Sequence, residues 1–202
     1  GDITIDGQSV VGLPVHQRNL GMLFQDYALF PHMTVLANVA FGLQMRGVGK
    51  AERLAVAESW LERVGLRKFA NYYPHQISGG MKQRVSIVRA LANDPEVLLM
   101  DEPLGALDAQ TRIVLQEELL RIWEETRKTV VYITHSLDEA ILLGDRVILM
   151  TAHPGRKLAT FTVDIPRPRH IDTINTPAFA ELRGEIWQQL AAEVERAMEM
   201  QA

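Results

Sequence analysis

The 202-residue sequence contains no cysteine, which excludes disulfide bonds and thiolate metal sites. Its six histidines form no HExxH or HxxxH pair, so a zinc site is not indicated. No apolar run approaches the roughly 18 residues that a membrane-spanning helix needs. The net charge of −4 argues against a broad nucleic-acid surface, because such a surface needs clustered Lys and Arg.

The composition is typical of a packed domain, with 47% hydrophobic and 23% charged residues. Its length suits one substantial domain with a small subdomain. Apolar strands alternate with helical segments, which predicts an α/β fold built on a mainly parallel sheet. The continuous apolar runs at 97–100 and 130–134 are typical of strands buried on both faces. After residue 150 we expect edge strands in 158–165, a solvated basic turn at Arg167 and Arg169, and an amphipathic helix over 179–200.

Two acidic residues, Asp101 and Glu102, follow the first of these apolar runs. Open parallel sheets bind ligands at the carboxyl ends of their strands. There one carboxylate can hold Mg²⁺ and the other can orient a water for attack on a terminal phosphate. A solvated strand end accounts for the same pair equally well.

Three further features carry the same kind of chemistry. The turn Ser78-Gly79-Gly80 opens a helix whose free N–H groups can bind an anion, although Ser is also an ordinary N-cap. His135 follows the strand at 130–134, and Gln25 follows a short apolar strand at 21–24. Either side chain could contact a phosphate or its attacking water, and either could be plain polar surface.

The order of these features resembles the nucleotide-binding subunit of ATP-binding-cassette (ABC) transporters. FQDYALFP resembles the Q-loop region, ISGGMKQR the signature motif, LLMDEP the Walker B strand, GALD the D-loop and YITH the switch histidine. The resemblance covers essentially the whole chain. It implies a P-loop NTPase-like α/β fold, with helices on both faces of a mainly parallel sheet and a small helical subdomain.

The resemblance also implies a role for each matching residue. Asp101 and Gln25 would bind Mg²⁺, and Glu102 would act as general base with Gln25 and His135 contributing to catalysis. The signature residues would contact ATP held by a second copy, and Asp108 would cross the dimer interface. The signature set is Ser78, Gly79, Gly80 and Met81, and Met81 stands where many family members have Gln.

One part of the family pattern is absent from the sequence, namely the P-loop GxxxxGK[ST]. The nearest candidate, Gly47-Val48-Gly49-Lys50, has Gln44 in place of the first Gly and Ala51 in place of the hydroxyl residue. We therefore expect a surface loop there. The resemblance implies that the P-loop precedes Gly1, that the N-terminal part of the core is missing, and that this chain has little ATPase activity alone.

Within the family, FPHMTVLANVAFGL resembles bacterial importers, and the tail after Met150 resembles the nitrate/sulfonate/taurine group. This implies ATP and Mg²⁺ as ligands, a permease subunit and a second copy as partners, and indirect work with a solute-binding protein. It implies no nucleic acid, and a location on the cytoplasmic face of the bacterial inner membrane. The expected parts are N-terminal strands and Q-loop (1–33), helical subdomain (34–76), catalytic core (77–150) and C-terminal strands and helix (151–202).

Two other hypotheses remain at this point. One is a cassette ATPase that acts on nucleic acid or ribosomes, which the net charge and the lack of heptad repeats disfavour. The other is an interaction module that has lost its P-loop. Retention of Gln25, Asp101, Glu102 and His135 together argues against such a loss of activity.

Overall fold

The computed structural model describes residues 1–151 and 154–199, which fold as two units. The first unit comprises residues 1–107 and 127–133, and the second comprises residues 108–126 and the chain from residue 134 onward. Within the described ranges, no helix is both long and apolar enough to cross a bilayer.

The first unit contains five strands and three α-helices. Its strands are β1 (Thr4–Ile5), β2 (Gln8–Ser9), β3 (Leu20–Leu23), β4 (Val97–Asp101) and β5 (Thr129–Ile133). Its helices are α1 (Val35–Met45), α2 (Lys50–Arg63) and α3 (Gly79–Leu91). Strands β1 and β2 form an antiparallel hairpin, and the other three form a parallel sheet in the order β3-β4-β5.

Helix α1 begins at a capping residue and packs at the centre of the helical segment. The hydroxyl of Thr34 accepts a hydrogen bond from the Ala37 amide at 3.2 Å, which starts α1. Val35 and Val39 on the inner face of α1 are fully buried. Helix α1 packs on both α2 and α3, and α3 packs on β3. This arrangement joins the helical segment to the sheet through α3.

The two faces of the parallel sheet differ in their burial. On one face Leu23, Leu98 and Met100 are buried, as the apolar pattern predicts. On the other face, Val131 and Ile133 of β5 are at least half exposed, so the prediction that 130–134 is buried on both faces is wrong. An apolar run specifies a strand, but other elements decide whether each face is covered.

The second unit contains helices α4 (Ala109–Thr126), α5 (Leu137–Leu143) and α6 (Pro177–Glu199), with strands β6 (Arg146–Met150) and β7 (Lys157–Thr162). The two strands pair antiparallel, with Val147 opposite Phe161. Their buried face packs with α5 and α6 into one core. Strand β7 occupies part of the predicted 158–165 segment.

Helix α6 contributes its apolar stripe to the core of its own unit. Phe179 and Ile186 are fully buried, and Leu182 and Leu190 pack beside them. This is the packing that the helical spacing predicts. Met200, and the side chains at 194 and 198 that extend the predicted stripe, lie outside the described part of the chain.

The basic segment at 167–169 is not the solvated turn expected from the sequence. Arg169 is only 3% exposed. Its guanidinium donates to five backbone carbonyls, those of Ile141, Leu142 and Gly144 at the end of α5 and those of Val163 and Ile165 after β7. The last carbonyls of a helix have no partner within it, and here a buried cation supplies their donors.

Candidate functional site

The acidic pair lies at the carboxyl end of β4, as predicted. Asp101 is the last residue of that strand and its side chain is exposed. Glu102 follows with a left-handed backbone (φ 43°), while its amide still donates to the Ile133 carbonyl at 3.0 Å. A non-glycine residue in this region is strained by roughly 1–3 kcal/mol, and such residues cluster at functional sites.

The turn after Glu102 is closed by Gly105. The Gly105 amide donates to the Glu102 carbonyl at 3.1 Å. A Cβ atom on Gly105 would lie 3.4 Å from Glu102 Oε2, in ordinary contact with the carboxylate. The Glu102 side chain therefore folds back over its own turn and lies beside Gly105.

Gln25 leaves the sheet at the same edge as the acidic pair. Strand β3 pairs with β4 as far as Leu23 opposite Met100. Gln25 and Glu102 each lie two residues beyond that last pair, and Gln25 is exposed. The parallel register thus brings Gln25, Asp101 and Glu102 to one edge of the first unit.

The signature turn forms the start of α3. The Ser78 hydroxyl accepts a hydrogen bond from the Met81 amide at 3.3 Å, so Ser78 acts as an N-cap here. Ser78 and Gly79 are exposed, and Gly80 and Met81 are half-buried. A helix of this length has a positive N-terminal end and free N–H groups in its first turn, which together attract an anion.

A hydrogen-bonded clamp, which the sequence analysis missed, joins α3 to the segment after Gln25. Tyr27 and Ala28 are both left-handed, with φ of 51° and 47°. The Tyr27 carbonyl accepts from the Ser86 hydroxyl at 3.0 Å and from Arg89 Nη2 at 3.2 Å. Arg89 Nη1 donates to the Ala28 carbonyl, and burial lowers the pKa of Arg89.

The other end of this segment is fixed by Asn38 of α1, whose side chain is fully buried. Its Oδ1 accepts from the Phe30 amide at 2.8 Å. Its Nδ2 donates to the carbonyls of Phe30, Met33 and Thr34 at 3.0–3.2 Å. A lone Asn inside an apolar helix could have indicated this contact from the sequence, because a buried side-chain amide needs hydrogen-bond partners.

Asp108 and His135 belong to the second unit. Asp108 precedes α4 and caps it, with Oδ1 accepting from the Thr111 amide at 3.0 Å and Oδ2 from the Thr111 hydroxyl at 2.6 Å. These hydrogen bonds hold the pKa of Asp108 below its ordinary value. His135 is exposed, two residues after the end of β5.

The Gly47–Lys50 stretch is the connection between α1 and α2, as expected for a surface loop. Gly47 is left-handed (φ 78°), and its amide donates to the Gln44 carbonyl at 3.0 Å. Gly49 is the N-cap of α2 and Lys50 is its first residue. This stretch follows a helix rather than a strand, so it does not form a P-loop.

The residues at the β4 edge have the chemistry of a magnesium site. A carboxylate and an amide oxygen are hard donors of the kind that Mg²⁺ prefers. Among the described residues no group of three or more His, Cys, Asp or Glu side chains could hold a metal ion. The donors at this edge therefore fit Mg²⁺ that brings further ligands, such as water and phosphate oxygens, and they do not form a closed metal cage.

Comparison with known proteins identifies the family. Residues 1–105 match the family model described as ABC transporter. An uncharacterized ABC transporter ATP-binding protein of Methanocaldococcus jannaschii is 49% identical over 198 residues, which are 98% of this chain and 72% of that protein. The taurine import ATP-binding protein TauB of Rhizobium johnstonii is 48% identical over 192 residues, covering 92% of this chain and 72% of that protein.

Other relatives are named as nitrate import and bicarbonate transport ATP-binding proteins. A solved structure with the same fold is a dimeric ATP-binding cassette in a post-hydrolysis state, bound to ADP and Pi. It has a TM-score of 0.65 and 35% sequence identity, and the match covers 80% of this chain and 75% of that one. The fold is therefore the α/β fold of ABC cassettes, and the chain belongs to the ABC transporter ATPase family.

Proposed function

We propose that this chain is the ATP-binding subunit of a bacterial importer for nitrate, sulfonate or taurine-like solutes. The taurine and nitrate relatives, at 48% and 47% identity, support this solute class. The observation that carries the ATPase role is the β3–β4 register, which brings an amide and two carboxylates to one sheet edge.

At that edge each side chain has a separate role in the proposal. Asp101 and the Gln25 amide oxygen hold Mg²⁺, which when bound neutralises phosphate charge. The Glu102 carboxylate accepts a proton from the attacking water, and Gln25 orients that water. The left-handed backbone at Glu102 supports this, because it re-aims the side chain that follows the strand.

The signature turn is proposed to act on nucleotide held by the other subunit of a dimer. Ser78, Gly79, Gly80 and Met81 present a helix N-terminus to its terminal phosphate. Asp108 crosses the interface between the copies, and the His135 imidazole donates to the γ-phosphate. The dimeric, ADP- and Pi-bound cassette of similar fold supports a dimer as the working form.

The remaining partners follow from the same family. We propose that a permease subunit binds the chain near Gln25 and the helical part at 34–76, at the cytoplasmic face of the inner membrane. A solute-binding protein delivers the solute to that permease. In this proposal the chain consists of N-terminal strands with the Q-loop (1–33), a helical subdomain (34–76), a catalytic core (77–150) and C-terminal strands with a helix (151–202).

Isolation of the membrane complex tests the transport role. The subunit, tagged in its natural gene, should retain a permease subunit after solubilisation. Proteoliposomes of that complex should take up labelled taurine or nitrate only with ATP. Glu102→Gln should abolish uptake without releasing the permease. Recovery of nucleic acid and no permease would contradict the proposal.

We also propose that these 202 residues do not hydrolyse ATP alone, because they contain no GxxxxGK[ST] to hold the phosphates. Purified chain should release phosphate from Mg-ATP no faster than its Glu102→Gln variant. Phosphate release well above that variant, and sensitive to chelation of Mg²⁺, would show that another part of the chain holds the nucleotide.

A further inference from the structure

A buried carboxylate that has no role in the proposed chemistry lies one helical turn beyond His135. Glu139 of α5 is only 5% exposed. Its Oε2 accepts from the Thr134 hydroxyl at 2.9 Å, and its Oε1 lies 3.4 Å from Gln116 Nε2 and 3.8 Å from Arg112 Nε. A buried carboxylate costs several kcal/mol to desolvate, so an apolar residue would fill this position more favourably.

Two residues linked to Glu139 by hydrogen bonds, Thr134 and Ser136, flank His135 in the sequence. The Thr134 hydroxyl, which donates to Glu139, also accepts from the Ser136 amide at 3.0 Å. The Ser136 hydroxyl in turn accepts from the Glu139 amide at 3.3 Å. The residues immediately before and after His135 are therefore both tied to Glu139, which restricts where the His135 backbone can lie.

The opposite side of Glu139 is held by α4. Arg112 and Gln116 are one helical turn apart on that helix, so both side chains reach the same carboxylate. Helix α4 starts directly after its cap, Asp108. The turn that carries His135 is thereby attached to a rigid helix rather than to the short helix α5 alone.

We propose that Glu139 is a positioning residue for His135. Through the Thr134 hydroxyl it fixes the Thr134–Ser136 turn on α4, and so sets the place from which the imidazole reaches its target. The functional importance of this positioning rests on the proposed contact between His135 and the γ-phosphate. The positioning itself is a property of this chain and requires no bound nucleotide.

The test is the rigidity of the His135 backbone, measured as the ¹⁵N relaxation order parameter of its amide in the nucleotide-free chain. Thr134→Val removes the hydroxyl with little change of shape, Thr134→Ser restores it, and Glu139→Ala removes the carboxylate. We expect an order parameter of about 0.85 in the unaltered chain and in Thr134→Ser. It should fall below about 0.6 in Thr134→Val and Glu139→Ala.

Two controls separate positioning from general stability. Amides in the middle of α4 should keep their order parameters in every variant. Glu139→Gln retains an oxygen that can accept from Thr134, so it should keep His135 rigid. If Glu139→Ala does not fold, the Thr134 pair carries the test by itself.

An unchanged order parameter at His135 in Thr134→Val would overturn the proposal. So would an equal fall in Thr134→Ser, or a fall that spreads evenly over α4 and α5. If His135 becomes mobile as expected but His135→Ala leaves transport by the membrane complex intact, the positioning stands and the proposed role of His135 fails.

Discussion

The hydroxyl oxygen of Tyr27 lies 3.3 Å from the position that a Cβ atom would occupy on Gly79. One residue belongs to the segment after Gln25 and the other to the signature turn. Because α3 also holds the Tyr27 carbonyl through Ser86 and Arg89, this segment contacts α3 at two places, one at the signature turn and one further along the helix. A substitution in either the segment or α3 should therefore alter the stability of the other.

Gly79→Ala tests this contact. The added methyl must push the Tyr27 hydroxyl aside by a few tenths of an ångström. Because Ser86 and Arg89 hold the Tyr27 backbone, we expect a loss of about 1 kcal/mol in the free energy of unfolding by urea. Tyr27→Phe removes the obstructing oxygen, so the double variant should recover at least about 0.5 kcal/mol of that loss. Gly184→Ala in α6, with open space around its Cβ, is the control and should stabilise by about 1 kcal/mol. Strict additivity of the two changes would show that the contact has no energetic weight.

Arg89→Ala tests the clamp on the left-handed pair. Its guanidinium donates to the Tyr27 and Ala28 carbonyls, and hydrogen bonds to a charged donor contribute about 1.5–3 kcal/mol. We expect a destabilisation in that range, with faster amide hydrogen exchange concentrated in residues 27–31. Lys82→Ala on the same helix should change stability by less than about 0.5 kcal/mol. Uniform acceleration of exchange across α3 would argue that Arg89 stabilises the helix and not the segment.

Arg169→Lys tests the buried cation of the second unit. An ammonium group cannot serve five carbonyls in the directions that the guanidinium fork reaches. Carbonyls left unpaired in the interior should cost about 3 kcal/mol in total, read as a lower urea midpoint. Arg183→Lys alters an exposed ion pair with Asp138 and should cost less than about 1 kcal/mol. Equal midpoints for the two variants would refute the capping role.

The cap of α4 should respond to acid. Hydrogen bonds from Thr111 lower the pKa of Asp108 from its ordinary 3.8 in the folded chain. The carboxylate therefore stabilises the fold fully above that value, and its contribution is lost as the pH falls through the lower, folded-state pKa. A carboxyl ¹³C titration should give a midpoint below 3.8 for the unaltered chain. In Thr111→Val the midpoint should move up towards 3.8, and failure to move would contradict this cause.

Local signals in the sequence predicted much of the arrangement that carries the candidate site. The apolar run before Asp101 and the N-cap at Ser78 each specify an element. Strands β3, β4 and β5 and helix α6 start within two residues of the predicted positions. Parallel pairing then places Gln25 at the same edge as Asp101, because strand ends of a parallel sheet share one edge.

The contacts that the sequence did not predict are long-range and polar. Arg89 reaches carbonyls about 60 residues earlier, and Arg169 caps a helix more than 20 residues before it. Nothing local distinguishes such an Arg from one that is solvated, since the partner is backbone and carries no residue identity. Burial of each face of β5 was also beyond the apolar pattern, because it depends on which elements cover the sheet.

The uncovered face of the parallel sheet has a practical consequence. Met22, Phe24, Val131 and Ile133 give it a nonpolar surface, and each is between 44% and 55% exposed. In the described sheet β3 and β5 are also end strands, so unpaired backbone borders that surface. We expect folded chains to aggregate at high protein concentration through this face of the sheet, while their helices remain folded. Solubility, rather than thermal stability, should therefore limit the concentration at which this chain can be studied.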